Sequence, residues 1–198
     1  MQHFIVHNLK MVSKKLDSLL TTKSFLYKIQ KNILKGGHVM RLRQAVIGDI
    51  EAISRIESLC FPEAEAATYE QFKERFNAFS ENFLVLEDKD VIGFINGNTS
   101  NIKGLPDAFY EDASLHDPSG DYMTVFGLDV HPDYQHQGLA HMLMNGYITL
   151  AKEQNKKGIF LTCKDHLIGF YESFGYKHLG VSSSTHGEAK WNDMYMEI

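Results

Sequence analysis

The residues best suited to chemistry cluster in the second half of the chain. Gln135-His136-Gln137-Gly138-Leu139-Ala140-His141 follows an apolar strand pattern, Leu128-Asp129-Val130, and a turn at His131-Pro132-Asp133. It opens a helical pattern with Leu139, Leu143, Tyr147 and Leu150 on one face. The first N–H groups of a helix have no partner inside it and together act as about half a positive charge. Glycine at 138 lets backbone approach a ligand with no Cβ in the way. Gln135, His136 and Gln137 add side-chain donors, and His141 stands in the first helical turn. The arrangement describes an anion site suited to a diphosphate. An ordinary strand–turn–helix, with Gly138 merely easing the turn, reads the same way on this segment alone.

A second run, Leu161-Thr162-Cys163-Lys164-Asp165-His166 followed by Phe170-Tyr171-Glu172-Ser173-Phe174-Gly175-Tyr176, places a tyrosine among aromatics. A phenol with a pKa of about 10 is protonated at neutral pH and can deliver a proton. Tyr171 could equally pack between Phe170 and Phe174 in a core. The two cysteines, Cys60 and Cys163, are far apart and have no CxxC spacing. No disulfide framework and no metal site is expected, and a reducing cytoplasm is the natural compartment. Cys163 reads as a small buried residue, because no His/Asp partner marks it as a nucleophile.

Together these runs resemble the GNAT family of N-acetyltransferases. The loop matches the family's Q/R-x-x-G-x-G/A element as Gln135-x-x-Gly138-x-Ala140, and 170–176 matches F-Y-x-x-x-G-F/Y. The pattern is similar to that of the serotonin (arylalkylamine) N-acetyltransferase-like members. It covers most of 40–198 and nothing before 40. The resemblance implies an α/β, three-layer fold with a mixed, mostly antiparallel central sheet flanked by helices. It implies acetyl-coenzyme A as co-substrate, its pyrophosphate on residues 135–141. It implies a bulged strand in which Leu128, Asp129 and Val130 aim backbone N–H groups at the acetyl carbonyl, as fixed donors for developing charge. By the same match Tyr171 is the general acid for the departing thiolate. The amine attacks directly in a ternary complex.

One departure concerns the base. Arylalkylamine members carry two histidines on the fourth strand, where this chain has Thr124 and Phe126. Neither titrates near neutral pH. Glu63, Glu65, Asp129, His131, His186 or a water chain would have to serve. The segment 60–68 sits where the family forms its acceptor lid. Its Glu63 and Glu65 could attract an ammonium, and Phe61, Tyr69 and Phe72 could wall an aromatic pocket. A solvated acidic linker would look the same. The expected acceptor is a small primary amine, arylalkylamine- or polyamine-like. A peptide or protein amine is one alternative, and an acetyl-CoA-binding module without turnover is another.

The elements that must position these residues follow from periodicity. Arg41–Val46 alternates as a strand, and Asp49 precedes a helix with Ile50, Ile53, Ile56 and Leu59 on one face. Thr68-x-x-Gln71 is a capping box for a helix carrying Phe72, Phe76 and Phe79. Residues 82–86 and 91–98 read as a hairpin around Asp88-Lys89-Asp90. Residues 101–120 read as a long loop, 122–130 as one strand, 141–154 as the helix continuing from Gly138, and 158–163 as a strand. A short helix at 167–173 and a strand pair at 176–183 and 192–198 close the chain. Strands alternating with helices predict a mixed α/β sheet.

Residues 1–39 differ from the rest. They hold seven lysines, no arginine and one acid, leaving 13 basic and 24 acidic residues in 40–198, a net charge of −11. That balance favours a cationic small molecule over nucleic acid. Leu16, Leu19, Leu20, Leu26, Ile29 and Ile33 with interleaved lysines predict a basic amphipathic helix or helix pair ending at Gly36-Gly37. It could touch a membrane surface or partner, pack on the domain, or form an extension ahead of a transferase domain at 40–198. Its lack of arginine argues against a transit peptide. No apolar run is long enough to span a bilayer, and a homodimer is left open.

Overall fold

A computed structural model describes residues 31–35 and 38–198 of the 198-residue chain. Strands β1 (Lys31–Lys35) and β2 (His38–Gln44) pair antiparallel, with Ile33 opposite Met40. The helix predicted to run to Gly36-Gly37 is therefore corrected over 31–35. There, pairing with the open edge of β2 outweighs the local helical period, and the sheet begins before Met40. The remainder of that predicted helix lies outside the described residues.

From β2 the sheet continues through β3 (Leu84–Asp88) and β4 (Asp90–Asn96), a hairpin that turns at Lys89 with φ 64°. Helix α1 (Ile50–Cys60) buries Ile50, Ile53 and Ile56, whereas Leu59, expected on the same face, is exposed at the end of the helix. Asp49 does not cap it as expected. Its carboxylate accepts the Val46 N–H at 2.8 Å and binds the Arg43 guanidinium at 2.6 and 2.9 Å. Helix α2 (Tyr69–Phe79) starts with the predicted capping box: Gln71 N–H donates to Thr68 Oγ1, and Thr68 N–H donates to Gln71 Oε1 at 2.8 Å. Both helices lie on one face of this sheet over an aromatic core in which Phe72 meets Phe94 edge-on at 5.5 Å.

The predicted loop at 101–120 contains a helical turn, α3 (Ala108–Glu111), just after the short strand β5 (Thr99–Ser100). The expected single strand 122–130 is two strands, β6 (Tyr122–Val125) and β7 (Gly127–Val130). Beyond them come α4 (Leu139–Glu153), β8 (Gly158–Cys163), α5 (Ile168–Glu172), β9 (Lys177–Val181) and β10 (Asn192–Glu197). The strands form two sheets, ordered β1-β2-β3-β4-β7 and β5-β6-β8-β10-β9, antiparallel except for β6 beside β8. Helix α4 covers the other face of the first sheet, with Leu139, Leu143, Tyr147 and Leu150 buried as the periodicity required.

The break between β6 and β7 separates the two sheets. Phe126 N–H donates to the Asn96 carbonyl, while Gly127 is also paired with Asn96. Two residues opposite one is a β-bulge, and it turns the strand. Before the bulge the chain pairs with β8; after it, with β4. Gly97 permits the close approach this needs, since a Cβ there would lie 1.9 Å from the Thr124 carbonyl oxygen. The Tyr147 hydroxyl holds that same carbonyl at 2.9 Å. Past the bulge β7 is an edge strand, and β8 diverges from it, leaving a wedge between the sheets.

Candidate active site

The wedge has one cavity on each side. The first, about 460 Å³, lies against the loop 134–141 and is lined by Val130, Gly138, Ala140, His141 and Phe170 among others. His136 (φ 59°) and Gly138 (φ 75°) both take left-handed backbone, which wraps the loop around the helix start. The α4 ladder starts with Met142 N–H donating to the Gly138 carbonyl, so the N–H groups ahead of Met142 are not used up by the helix. Of the residues expected here, Gln135, His136, Gly138, Leu139, Ala140 and His141 line the cavity, while exposed Gln137 does not. The Gln135 amide is already engaged: Nε2 donates to the Val130 carbonyl at 3.0 Å. His141 packs on Phe170 and Phe174, with ring centroids 4.8 and 4.9 Å away.

The ladder also sorts Leu128, Asp129 and Val130. His131 N–H bonds the Ile92 carbonyl, so alternation turns the N–H groups of Gly127 and Asp129 into the sheet and those of Leu128 and Val130 toward the wedge. Asp129, expected among the outward donors, has its side chain on the α1 face instead. The second cavity, about 110 Å³, lies there, between α1, α2 and the segments 61–67, 108–111 and 182–191. Phe61, Phe126, Tyr110, Trp191, Glu57, Glu65 and Arg75 are among its walls. Leu128, Leu167 and Tyr171 line both cavities. Tyr171 is 7 % exposed, and its hydroxyl makes no hydrogen bond among the described residues. Burial, then Cys163 and Asp129, push its pKa well up, so it stays protonated at neutral pH.

Other sequence candidates fall elsewhere. Thr124 is fully buried and bonds Asn98 Oδ1 at 2.8 Å, so it does not reach the cavity. Glu63 and Tyr69 are exposed outside it, Phe72 is in the core, and His131 faces Asp133 and Tyr134. Glu65 does enter, with Oε1 on Lys164 Nζ at 2.9 Å and Oε2 buried without a donor. Lys164 in turn lies 4.1 Å over the Trp191 ring. His186 stacks on Tyr110 and bonds the Glu65 carbonyl, which closes three segments over the cavity. Glu57, Arg75, Tyr110, Lys164 and Trp191 were not singled out from sequence. Two left a signal: Glu57 interrupts the apolar stripe of α1, and Arg75 that of α2.

The family model described as the acetyltransferase (GNAT) family matches residues 50–176. This chain belongs to the GNAT family. Among curated proteins, the chain is 28 % identical to serotonin N-acetyltransferase of Mesocricetus auratus over 113 residues, 57 % of this chain and 53 % of that protein. The chain spans about half the length of the curated relatives it matches. Among solved structures, Ard1 from Thermoplasma volcanium superposes with a TM-score of 0.64 at 19 % identity, covering 80 % of this chain and 97 % of that one. Arabidopsis thaliana Naa50, in complex with the bisubstrate analogue CoA-Ac-MVNAL, gives 0.59 at 14 %, covering 80 % and 99 %. These likenesses establish the GNAT fold.

Within this GNAT fold the second cavity has two buried carboxyls at its inner wall. Glu57 and Asp129 are 6 % and 4 % exposed, and after burial each is the strongest influence on the other's carboxyl. Each leaves an oxygen, Oε2 and Oδ2, without a donor from elsewhere. Two unit charges about 4 Å apart repel by about 4 kcal/mol in a partly buried setting. Burial alone also disfavours ionisation. Desolvation, and then Glu57, raise the Asp129 pKa well above the carboxylate range. Glu57 is raised by burial as well, opposed by its bond to Asp129, the Ala67 N–H and the Arg75 charge. Burial and these two acids push the Cys60 thiol up to about 12. Among the described residues no group of three His, Cys, Asp or Glu could hold a metal, and no helix is long and apolar enough to cross a membrane.

Proposed function

We propose that this GNAT protein transfers acetyl from acetyl-CoA to a small primary amine. The observation that carries the reading is the position of Tyr171, whose side chain lines both cavities. Acetyl-CoA fits the first cavity by the chemistry of its walls: the left-handed loop at 136–138 and the open start of α4 for the diphosphate, and the outward edge of β7 for the amide-bearing arm. When bound it supplies the acetyl thioester. Leu128 and Val130 then offer N–H groups to the carbonyl oxygen. Tyr171 holds the proton that the leaving thiolate needs.

The small-amine preference rests on the second cavity. It is narrow, walled by aromatic rings, covered by three packed segments, and lined by two acids with unpaired oxygens. Such a site suits a primary ammonium on a short or aromatic body. A peptide amine is the second reading, favoured by the likeness to Naa50, which was solved with a peptide-bearing analogue. We assign the transferase to 40–198 with β1 as an added edge strand. The free thiols Cys60 and Cys163 fit a reducing cytoplasm. Free-thiol release from acetyl-CoA in the presence of tryptamine, spermine or a peptide panel tests the proposal. Release with the amines supports it; release with peptides alone supports the second reading. Coenzyme A binding without release from any acceptor would mean a binding module.

A further inference from the structure

We propose that Glu57 and Asp129 hold one proton between them, and that Glu57 is the group that takes the proton from the incoming ammonium. The inference rests on the acetyl-transfer reading and supplies the base that the family's strand histidines would have provided, since Thr124 and Phe126 occupy those positions.

Three observations converge. Glu57 lines the acceptor cavity, whereas Asp129 lies behind it, between β7 and α1. Both carboxyls keep an oxygen that no donor of the chain satisfies. The room they occupy depends on a glycine: a Cβ on Gly127 would lie 3.2 Å from Asp129 Oδ2 and 3.4 Å from Asn96 Oδ1. Asn96 is itself fully buried with both side-chain atoms unpartnered, so polar atoms continue inward from the pair. Buried polar groups in a folded protein are rarely left so, and a site that receives and passes on a proton gives them a role.

The step balances simply. One N–H bond of R–NH3+ breaks, its electron pair stays on nitrogen, and the proton goes to the Glu57 carboxylate. The neutral amine can then attack. The other ionisable groups around the pair are Cys60 from α1, Arg75 from α2, Tyr110 from α3, Tyr171 from α5, His186, and the Glu65–Lys164 ion pair on the cavity wall. Cys60, Tyr110 and Tyr171 are kept neutral by burial, so the Arg75 guanidinium is a fixed cation facing the pair's single negative charge. Asp129, holding the proton, keeps Glu57 ionised and oriented, which makes it a positioning residue.

The experiment has an arm that needs turnover and an arm that does not. In the full chain at neutral pH, infrared spectra should contain a protonated-carboxyl C=O band that both Glu57→Gln and Asp129→Asn remove. In acetyl transfer to tryptamine, Glu57→Gln should lower kcat/KM by about 100-fold or more. It should also abolish the acid limb of the pH profile, with the KM for acetyl-CoA unchanged, and Glu57→Asp should restore the limb in part. Glu57→Gln with the wild-type acid limb and kcat/KM would overturn the base assignment. A wild type without the band would overturn the shared proton. A folded wild type that binds coenzyme A yet acetylates no amine would overturn the transfer reading and Glu57's base role with it; the band would still decide the pair.

Discussion

The Gln135 side chain reaches back across its own turn to donate to the Val130 carbonyl at 3.0 Å. Cys60 Sγ meets the same oxygen at 3.4 Å. One carbonyl thus ties the phosphate-loop candidate to the edge strand and to the end of α1. Losing a neutral hydrogen bond costs about 1 kcal/mol. Gln135→Ala should therefore raise the dissociation constant for coenzyme A by about fivefold, measured by calorimetry, with the thermal midpoint little changed. An unchanged affinity would mean the loop holds its shape without this tether.

Gly138 carries a φ of 75°, a region that non-glycine residues enter at a cost of about 1–2 kcal/mol. Gly138→Ala should weaken coenzyme A binding moderately. Gly138→Glu should weaken it by more than tenfold, because the new carboxylate faces the diphosphate. Equal affinities for the two variants would argue that no anion binds at this helix start.

Tyr171→Phe removes the hydroxyl and leaves the ring packing on Phe170 and Tyr176. General-acid groups are worth about 100- to 10,000-fold. The expected result is a kcat loss in that range with coenzyme A affinity intact. Because burial raises the Tyr171 pKa, wild-type activity should not fall through Tyr171 ionisation until strongly alkaline pH. A variant with full kcat would remove Tyr171 from the chemistry.

Gly97→Ala puts a methyl against the Thr124 carbonyl at the bulge, where a Cβ would stand 1.9 Å from the oxygen. Backbone must move, so the thermal midpoint should drop by the equivalent of about 3 kcal/mol or more. Gly169→Ala in α5 meets nothing within 4 Å and should be neutral or stabilising. Similar midpoints for the two would show that the bulge tolerates widening.

Asp49 loses hydration on burial, but its bonds to Arg43 and the Val46 N–H outweigh that and lower its pKa from 3.8. A depressed folded-state value contributes stability above the unfolded value, lost as pH falls through the folded one. Asp49→Asn should be less stable than wild type at neutral pH, by about 1–3 kcal/mol. The difference should shrink only below about pH 4. Denaturant melts at neutral and acid pH read it directly.

Local pattern alone was enough for much of this protein. The capping box at Thr68, the hairpin at Lys89, the buried faces of α1 and α4, and the run Gln135–Tyr176 are all relations between near neighbours. A helix face or a turn is decided within a few residues, so the chain spells it out. The family resemblance rests on those same stretches.

What tertiary structure decided is which distant groups meet. Residues 31–35 became a strand because β2 offered an edge. The strand at 122–130 broke at Phe126 because two diverging sheets both needed it. Thr124 went to Asn98, Glu63 to solvent, and Glu57 to Asp129 across 72 residues of chain. Periodicity marks Glu57 only as an acid on an apolar stripe; what faces it depends on how α1 lies over β7. Burial and charge pairing are properties of that juxtaposition, and they set the protonation on which the proposed chemistry depends.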